Sequence, residues 1–231
     1  MLMLGESVLS LIIVEDSPGR RYFVTFAAGI VAVTMMQYLF FRSTPIDADD
    51  HAMRRSIQGG YQFFYSLLAY SACLIIIGCS FKLILHVYLD EYENEEEGAE
   101  TDEEEQEEMV TRISNMFSWS LASSFLLLDL MVISHRGWIL FFKRLAPGGQ
   151  IAWKPCICCI ADMCMIIMTA YFPRYISDLE ILSVAGCGVV LAQVLLRTLG
   201  MKFFPVSKAA MDFACRWPNV TEPRIAAHDS T

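Results

Sequence analysis

The chain has 231 residues, of which 55% are hydrophobic, and its mean hydropathy of +0.43 exceeds the level usual for soluble domains. Its formal charge is −9, yet 13 of its 26 acidic residues lie between Asp90 and Glu108, and the rest of the chain carries 13 acidic and 17 basic residues. The composition therefore excludes an ordinary soluble domain and predicts a membrane protein, and the charge gives no support for nucleic-acid binding.

Residues 1–14 form the first apolar segment, and Glu6 is its single charged side chain. A helix needs about 20 apolar residues to cross roughly 30 Å of hydrocarbon. This segment is shorter. It is interpreted as an interfacial helix, or as the end of a span that begins further upstream.

Five longer apolar stretches follow, and each reaches the length of a membrane-spanning helix. They cover residues 22–41, 61–89, 113–134, 151–172 and 179–199. Turn-forming residues separate them, for example at Pro147 and Pro173. The sequence therefore predicts an all-α, polytopic transmembrane helix bundle of five or six spans, with the lipid bilayer as its main partner.

An acidic segment divides the bundle into residues 1–89 and residues 113–200, which precede a C-terminal tail over 201–231. Residues 90–112 are highly charged and poor in apolar side chains, a composition that cannot bury a core. The segment is predicted to be a disordered loop outside the membrane.

The distribution of basic residues predicts the orientation, because lysine and arginine near span ends resist translocation. If all six segments cross, one side carries Arg42, Arg54, Arg55, Arg136, Lys143, Arg144, Lys154, Arg197, Lys202, Lys208, Arg216 and Arg224. The other side carries only Arg20, Arg21, Arg112 and Arg174. The ratio of 12 to 4 predicts a cytoplasmic C-terminal tail and an external or lumenal acidic segment.

Four ionisable residues fall within the predicted spans: Glu6, Lys82, Asp129 and Asp162. A charge at membrane depth costs a few kcal/mol, so these side chains are expected to face the bundle interior or a wet cavity. They are candidates for a polar pathway. The alternative is that they form structural pairs or reach an interface by snorkelling. Asp162 lies deepest in its span, and Lys82 is a candidate partner for it.

Three cysteines, Cys156, Cys158 and Cys159, cluster at the predicted cytoplasmic mouth of one span. Consecutive ligands on one helix diverge and no histidine lies nearby, so the pattern does not favour metal. The cysteines are interpreted as candidate S-palmitoylation sites or as inert packing. The sequence contains no phosphate-binding glycine loop, nucleophile elbow or zinc-protease helix, and it predicts neither a cofactor nor an enzymatic reaction.

Small residues on the last span, Gly186, Gly188 and Ala192, permit close approach of helix backbones. They are interpreted as internal packing positions, with formation of a homo-oligomer as the alternative.

The opening residues Leu4, Gly5, Glu6 and Ser7 resemble the Leu-Gly-Glu-Ser signature of the low temperature requirement A family of multi-span membrane proteins. The block containing His51, Arg54 and Arg55, placed after an uncharged span, resembles the next element of that family. The resemblance covers about the first 90 residues and implies the C-terminal half of the family's architecture. It also implies that Glu6 faces helices supplied by a preceding half.

Two functions are consistent with these observations. The first is a transporter or channel-like protein in which the buried acids line a path for protons or small solutes. The second is a non-transporting structural or stress-adaptation membrane protein in which the same charges form structural pairs.

Overall fold

A computed structural model describes residues 19–45, 51–55, 57–97, 103–136 and 153–203. Every regular element in these ranges is helical. In chain order they are α1 (Gly19–Ser43), α2 (Ala52–Arg55), α3 (Ile57–Glu97), α4 (Glu103–Arg136), α5 (Trp153–Ala170), a 3-10 turn (Phe172–Arg174) and α6 (Leu179–Phe203).

Four of these helices contain stretches long and apolar enough to cross a membrane: Gly19–Ser43, Ile57–Asp90, Gln106–His135 and Leu179–Thr198. They confirm four of the five longer predicted spans. The fold is therefore that of an α-helical, membrane-embedded protein.

The span predicted over 151–172 is shorter in the structure. Helix α5 has 18 residues, about 27 Å at 1.5 Å per residue, and its apolar part is Ile157–Ala170. It ends where Pro173 enters the 3-10 turn, since proline cannot continue the hydrogen-bonding pattern of the helix. The predicted first segment, residues 1–14, lies outside the described residues.

The acidic segment differs from the predicted loop. Helix α3 continues through it to Glu97, and α4 begins at Glu103, so both helices extend beyond the apolar spans. Glutamate is a good helix former, and extending an existing helix adds one hydrogen bond for each residue fixed. The helical spans therefore continue into sequence that cannot form a core of its own.

The bundle is built around the pair α3 and α4, and α1 packs against both α3 and α6. The rings of Phe81 and Phe117 meet edge to face across the first pair, 5.1 Å apart. The Tyr70 hydroxyl donates a hydrogen bond to the Met36 carbonyl, 3.2 Å away, and links α3 to α1. Helix α5 packs on α4 and α6.

Helix α6 begins with a side-chain cap. The Asp178 carboxylate accepts a 2.8 Å hydrogen bond from the Glu180 N–H, which satisfies one of the donors left free at a helix N-terminus. The cap therefore defines where α6 begins.

Candidate functional site

One face of α6 is directed toward the bundle interior along the length of the helix. Leu182, Gly186, Val190 and Gln193 on this face are buried, and Arg197 follows one turn later. The spacing of three and four residues is that of a single helix side. Gln193 and Arg197 are therefore presented together to the neighbouring helices.

Arg197 contacts two aspartates from two different helices. Its Nη2 donates to Asp129 Oδ1 of α4 at 2.5 Å, and it lies 3.9 Å from Asp162 Oδ2 of α5. Gln193 Nε2 donates a hydrogen bond to Asp162 Oδ1. We call Asp129, Asp162, Gln193 and Arg197 the buried charge cluster.

The side chains of the buried charge cluster are largely covered. Those of Arg197, Asp162 and Asp129 are 17%, 18% and 26% exposed, and Gln193 is completely buried. With all groups ionised, two carboxylates face one guanidinium, which leaves an excess of one negative charge. Such a charge is costly in a medium of low dielectric constant.

The buried charge cluster lies inside the bundle and closer to one of its ends. Asp129 precedes the end of α4 by seven residues, Arg197 precedes the end of α6 by six, and Asp162 follows the start of α5 by nine. These separations correspond to about 9 to 14 Å of helix. All three helix ends belong to the predicted cytoplasmic side.

Gln193 has an unfulfilled acceptor. Its Nε2 is bonded to Asp162, but its Oε1 is buried and has no hydrogen-bond partner among the described residues. A buried amide oxygen without a donor carries an energetic cost of about 1–3 kcal/mol. Because the same amide group donates to Asp162, this oxygen is part of the site.

The structure brings two of the four predicted pathway residues together, Asp129 and Asp162. Lys82 lies on the exposed surface of α3 instead of in the interior, and the partners of Asp162 are Arg197 and Gln193. The exposed position agrees with the snorkelling alternative, since Lys82 is two turns from Asp90. Glu6 lies outside the described residues, as do Leu4, Gly5 and Ser7.

Sequence reasoning missed the roles of Gln193 and Arg197. In the sequence, Arg197 is one of the basic residues near span ends, and Gln193 is neutral and gives no charge signal. A usable signal was present, because the two polar residues are four apart within an apolar span and so lie on one face.

Several buried hydroxyl groups are satisfied within their own helices. Ser124, Ser134 and Thr169 donate to backbone carbonyls three or four residues earlier. This is the common way for serine and threonine to be accommodated inside an apolar helix. These hydroxyls therefore need no further partner and do not themselves indicate a polar path.

Ser114 and Ser118 differ from that group. They lie along the side of α4 that continues through Ala122 and Phe125 to Asp129. Ser114 lines a cleft of about 370 Å³ at the far end of α4, and Ser118 Oγ is buried without a partner among the described residues. Fully buried Phe125 lies between these serines and Asp129.

His51 of the family-like block packs in an aromatic group. Its ring lies 4.8 Å from those of Phe63 and His135, and His135 Nδ1 accepts a 3.1 Å hydrogen bond from the Ala52 N–H. These contacts hold the start of α2 against the end of α4. Arg54 is exposed on α2, and the side chain of Arg55 is outside the described set.

The cysteine cluster lies in the first turns of α5. Cys158 and Cys159 are half-buried and not in disulfides, and the side chain of Cys156 is outside the described set. Among the described residues, no group of three or more His, Cys, Asp or Glu side chains has an arrangement that holds a metal ion. Acylation of these cysteines stays a prediction.

The long apolar helices and the charged residues enclosed by them place the chain in the class of helical integral membrane proteins. No family model matches the chain, and neither a curated protein nor a solved structure matches it. The resemblance to the low temperature requirement A family therefore stays a prediction.

Proposed function

We propose that this chain is an integral membrane protein of the low temperature requirement A type that moves protons or another small solute, and that the buried charge cluster lies on the path. The observation that carries the proposal is the ratio of two carboxylates to one guanidinium inside a bundle of apolar helices. Ionisable groups at membrane depth are characteristic of ion pathways and proton relays.

The unbalanced charge favours transport over a purely structural pair. A structural pair lowers the cost of burial best when its charges cancel and its hydrogen bonds are complete. Among the residues that the structure describes, one negative charge is in excess and the Gln193 Oε1 acceptor has no donor. Both features suit a site whose charge changes during its working cycle.

The serine side of α4 supplies a direction for the path. Along α4 the cleft at Ser114 is followed by Ser118, whose hydroxyl has no partner among the described residues, and then by Asp129 of the buried charge cluster. Phe125 separates the two halves of this line, so a rearrangement around its ring would connect them. The proposed route runs from the predicted external or lumenal side inward.

A second candidate function is a non-transporting structural or stress-adaptation membrane protein. It is favoured by the fact that Arg197 reaches α4 and α5 from α6 and so ties three helices together. With this second function, the buried charge cluster contributes only to assembly of the bundle. Neither candidate involves an enzymatic reaction.

Flux measurements in proteoliposomes test the proposal. The purified chain is reconstituted, a pH or solute gradient is applied, and wild type is compared with Asp162→Asn and Asp129→Asn. We expect each variant to lower the flux by about tenfold or more, because each neutralises a group on the path.

The matched control is Glu180→Gln, which also converts an ion-paired acid into an amide but lies at the other end of α6. Its flux is expected to equal that of wild type. A wild-type protein that is folded in the vesicles and moves neither protons nor solutes would favour the structural alternative instead.

A further inference from the structure

We propose that Asp162 binds and releases one proton, and that the Gln193 amide rotates between donating to ionised Asp162 and accepting from protonated Asp162. This deepens the proposed function, on which it rests for its physiological role, by naming the proton as the ligand. It adds Gln193 as the residue that makes both states of the site stable.

Gln193 is the observation that points to a ligand, independently of the acidic pair. Its side chain is completely buried, its Nε2 donates to Asp162 Oδ1, and its Oε1 has no donor among the described residues. A carboxylate can only accept hydrogen bonds, whereas a protonated carboxyl group also donates one. The amide side chain therefore offers a donor for one state and an acceptor for the other.

Geometry selects Asp162 over Asp129 as the carrier. Arg197 Nη2 is 2.5 Å from Asp129 Oδ1, a charge-assisted hydrogen bond that is strongest when the acceptor is ionised. The same nitrogen is 3.9 Å from Asp162 Oδ2, and the direct donor to Asp162 is a neutral amide. Protonation of Asp162 thus costs less electrostatic free energy than protonation of Asp129.

The proposed step balances in atoms and charge. A hydronium ion from the aqueous phase gives its proton to Asp162 Oδ1, so one O–H bond forms and one water molecule is released. The hydrogen bond from Gln193 Nε2 breaks, the amide turns about its terminal torsion, and the new O–H donates to Oε1. That torsion is broad and roughly two-fold, so both orientations are accessible. The net charge of the buried charge cluster changes from −1 to zero.

The surroundings of Asp162 supply few competing groups. From α4 the titratable neighbour is Asp129, whose side chain is within hydrogen-bonding reach of Asp162, and from α6 the charged neighbour is Arg197. From α3, Tyr70 lies within electrostatic range of Arg197, and its hydroxyl is already engaged with the Met36 carbonyl. A metal cation is a poorer ligand than a proton here, because the guanidinium already occupies the space between the two carboxylates.

Infrared difference spectroscopy of the full chain in lipid, recorded as the pH is lowered, tests this inference. Wild type should show the C=O stretch of a buried protonated carboxyl group, and Asp162→Asn should lose it. Gln193→Met should keep the band at a changed frequency, since the acceptor for its O–H is gone. Glu180→Gln, the matched control, should keep the band unchanged.

A second measurement does not depend on a foldable variant. Isotopic labelling of aspartate carboxyl carbons should shift the wild-type band, which separates aspartate from the many glutamates of the acidic segment. A band that does not shift on this labelling, or that persists in folded Asp162→Asn, overturns the inference. So does a spectral change that follows sodium concentration at fixed pH, which would assign a metal cation to the site.

The measurements distinguish failure of the proton site from failure of the transport proposal. The band without any flux would retain the proton site and remove transport, whereas flux without the band would retain transport and remove the proton site.

Discussion

At one end of α6, Glu180 faces two arginines, whereas near the other end two aspartates face one. Arg20 and Arg21 lie 3.9 and 3.7 Å from the Glu180 carboxylate, and their side chains are 88% and 61% exposed. In the buried charge cluster the single guanidinium of Arg197 is 17% exposed. The carboxylates of Glu180 and Asp162 are both 18% exposed, so the two sets combine the same types of side chain in opposite ratios and differ in the exposure of their guanidinium groups.

The difference in exposure determines what each set of charges contributes. Solvent and salt screen the exposed guanidinium groups of Arg20 and Arg21, so their long contacts with Glu180 are expected to contribute about 0–1 kcal/mol. In the bundle interior, removal of one partner leaves the other charge buried and unpaired, which costs about 3–5 kcal/mol. We infer that the Glu180 contacts fix the position of a helix end, while the buried charge cluster constrains the whole bundle.

The largest expected effect follows from Arg197→Met. This change keeps most of the side-chain volume but leaves Asp129 and Asp162 close together without a cation. We expect the free energy of unfolding in mixed detergent micelles to fall by about 3–5 kcal/mol. Adding Asp129→Asn to the same chain should recover part of the loss, since one buried charge is then removed.

Arg21→Met is the matched control, because it makes the same chemical change at the exposed end of the bundle. Its effect should stay within about 0.5 kcal/mol of wild type, as is usual for exposed surface positions. Equal losses for the two variants would contradict the proposed difference between the two regions.

The helices were largely predictable from the sequence, but the contacts between charged side chains of different helices were not. Apolar length alone located four spans, because a bilayer of fixed thickness sets the number of residues. The cost of burying a charge singled out Asp129 and Asp162, but it also singled out Lys82, which is exposed. That Arg197 meets Asp129 depends on how α4 and α6 are rotated and offset, and the two residues are 68 positions apart.

The acidic segment shows a second limit of sequence reasoning. Charge density predicted disorder, yet helix is continuous with the spans as far as Glu97 and from Glu103 onward. The composition shows that the segment cannot fold alone. Here a packed helix on each side provides the helix nucleus that an isolated acidic peptide lacks. Gln193 illustrates the same point, because its importance comes from its neighbours and not from its own charge.

A smaller effect is expected at the contact that sets the distance between α4 and α6. A methyl group added at Gly186 would lie 2.6 Å from the ring of buried Phe117, too close without a shift of the backbone or the ring. Gly186→Ala should therefore lower the free energy of unfolding by about 1–3 kcal/mol. It should also reduce the flux, because the packing of α4 against α6 positions Asp129 beside Arg197.

Gly188 provides the control on the same helix. A methyl group there meets nothing within 4 Å, so Gly188→Ala should be neutral or slightly stabilising in the same unfolding assay. If Gly188→Ala were the more harmful of the two, the exposed side of α6 would be a contact surface between copies, as the homo-oligomer alternative predicts.

The smallest expected effect is at Glu180, and it bears most directly on the comparison. Glu180→Gln removes both arginine contacts, which are longer than 3.5 Å and involve strongly exposed guanidinium groups. The expected loss in the free energy of unfolding is below about 1 kcal/mol and should shrink further as salt is raised, because the Debye length falls to about 3 Å at 1 M. Arg197→Met should show little dependence on salt, since its charges are largely covered. Measuring both variants across one salt series therefore separates screened from buried electrostatics within a single protein. A loss at Glu180 as large as that at Arg197, or one that persists at high salt, would mean that the two regions do not differ in the way their exposure indicates.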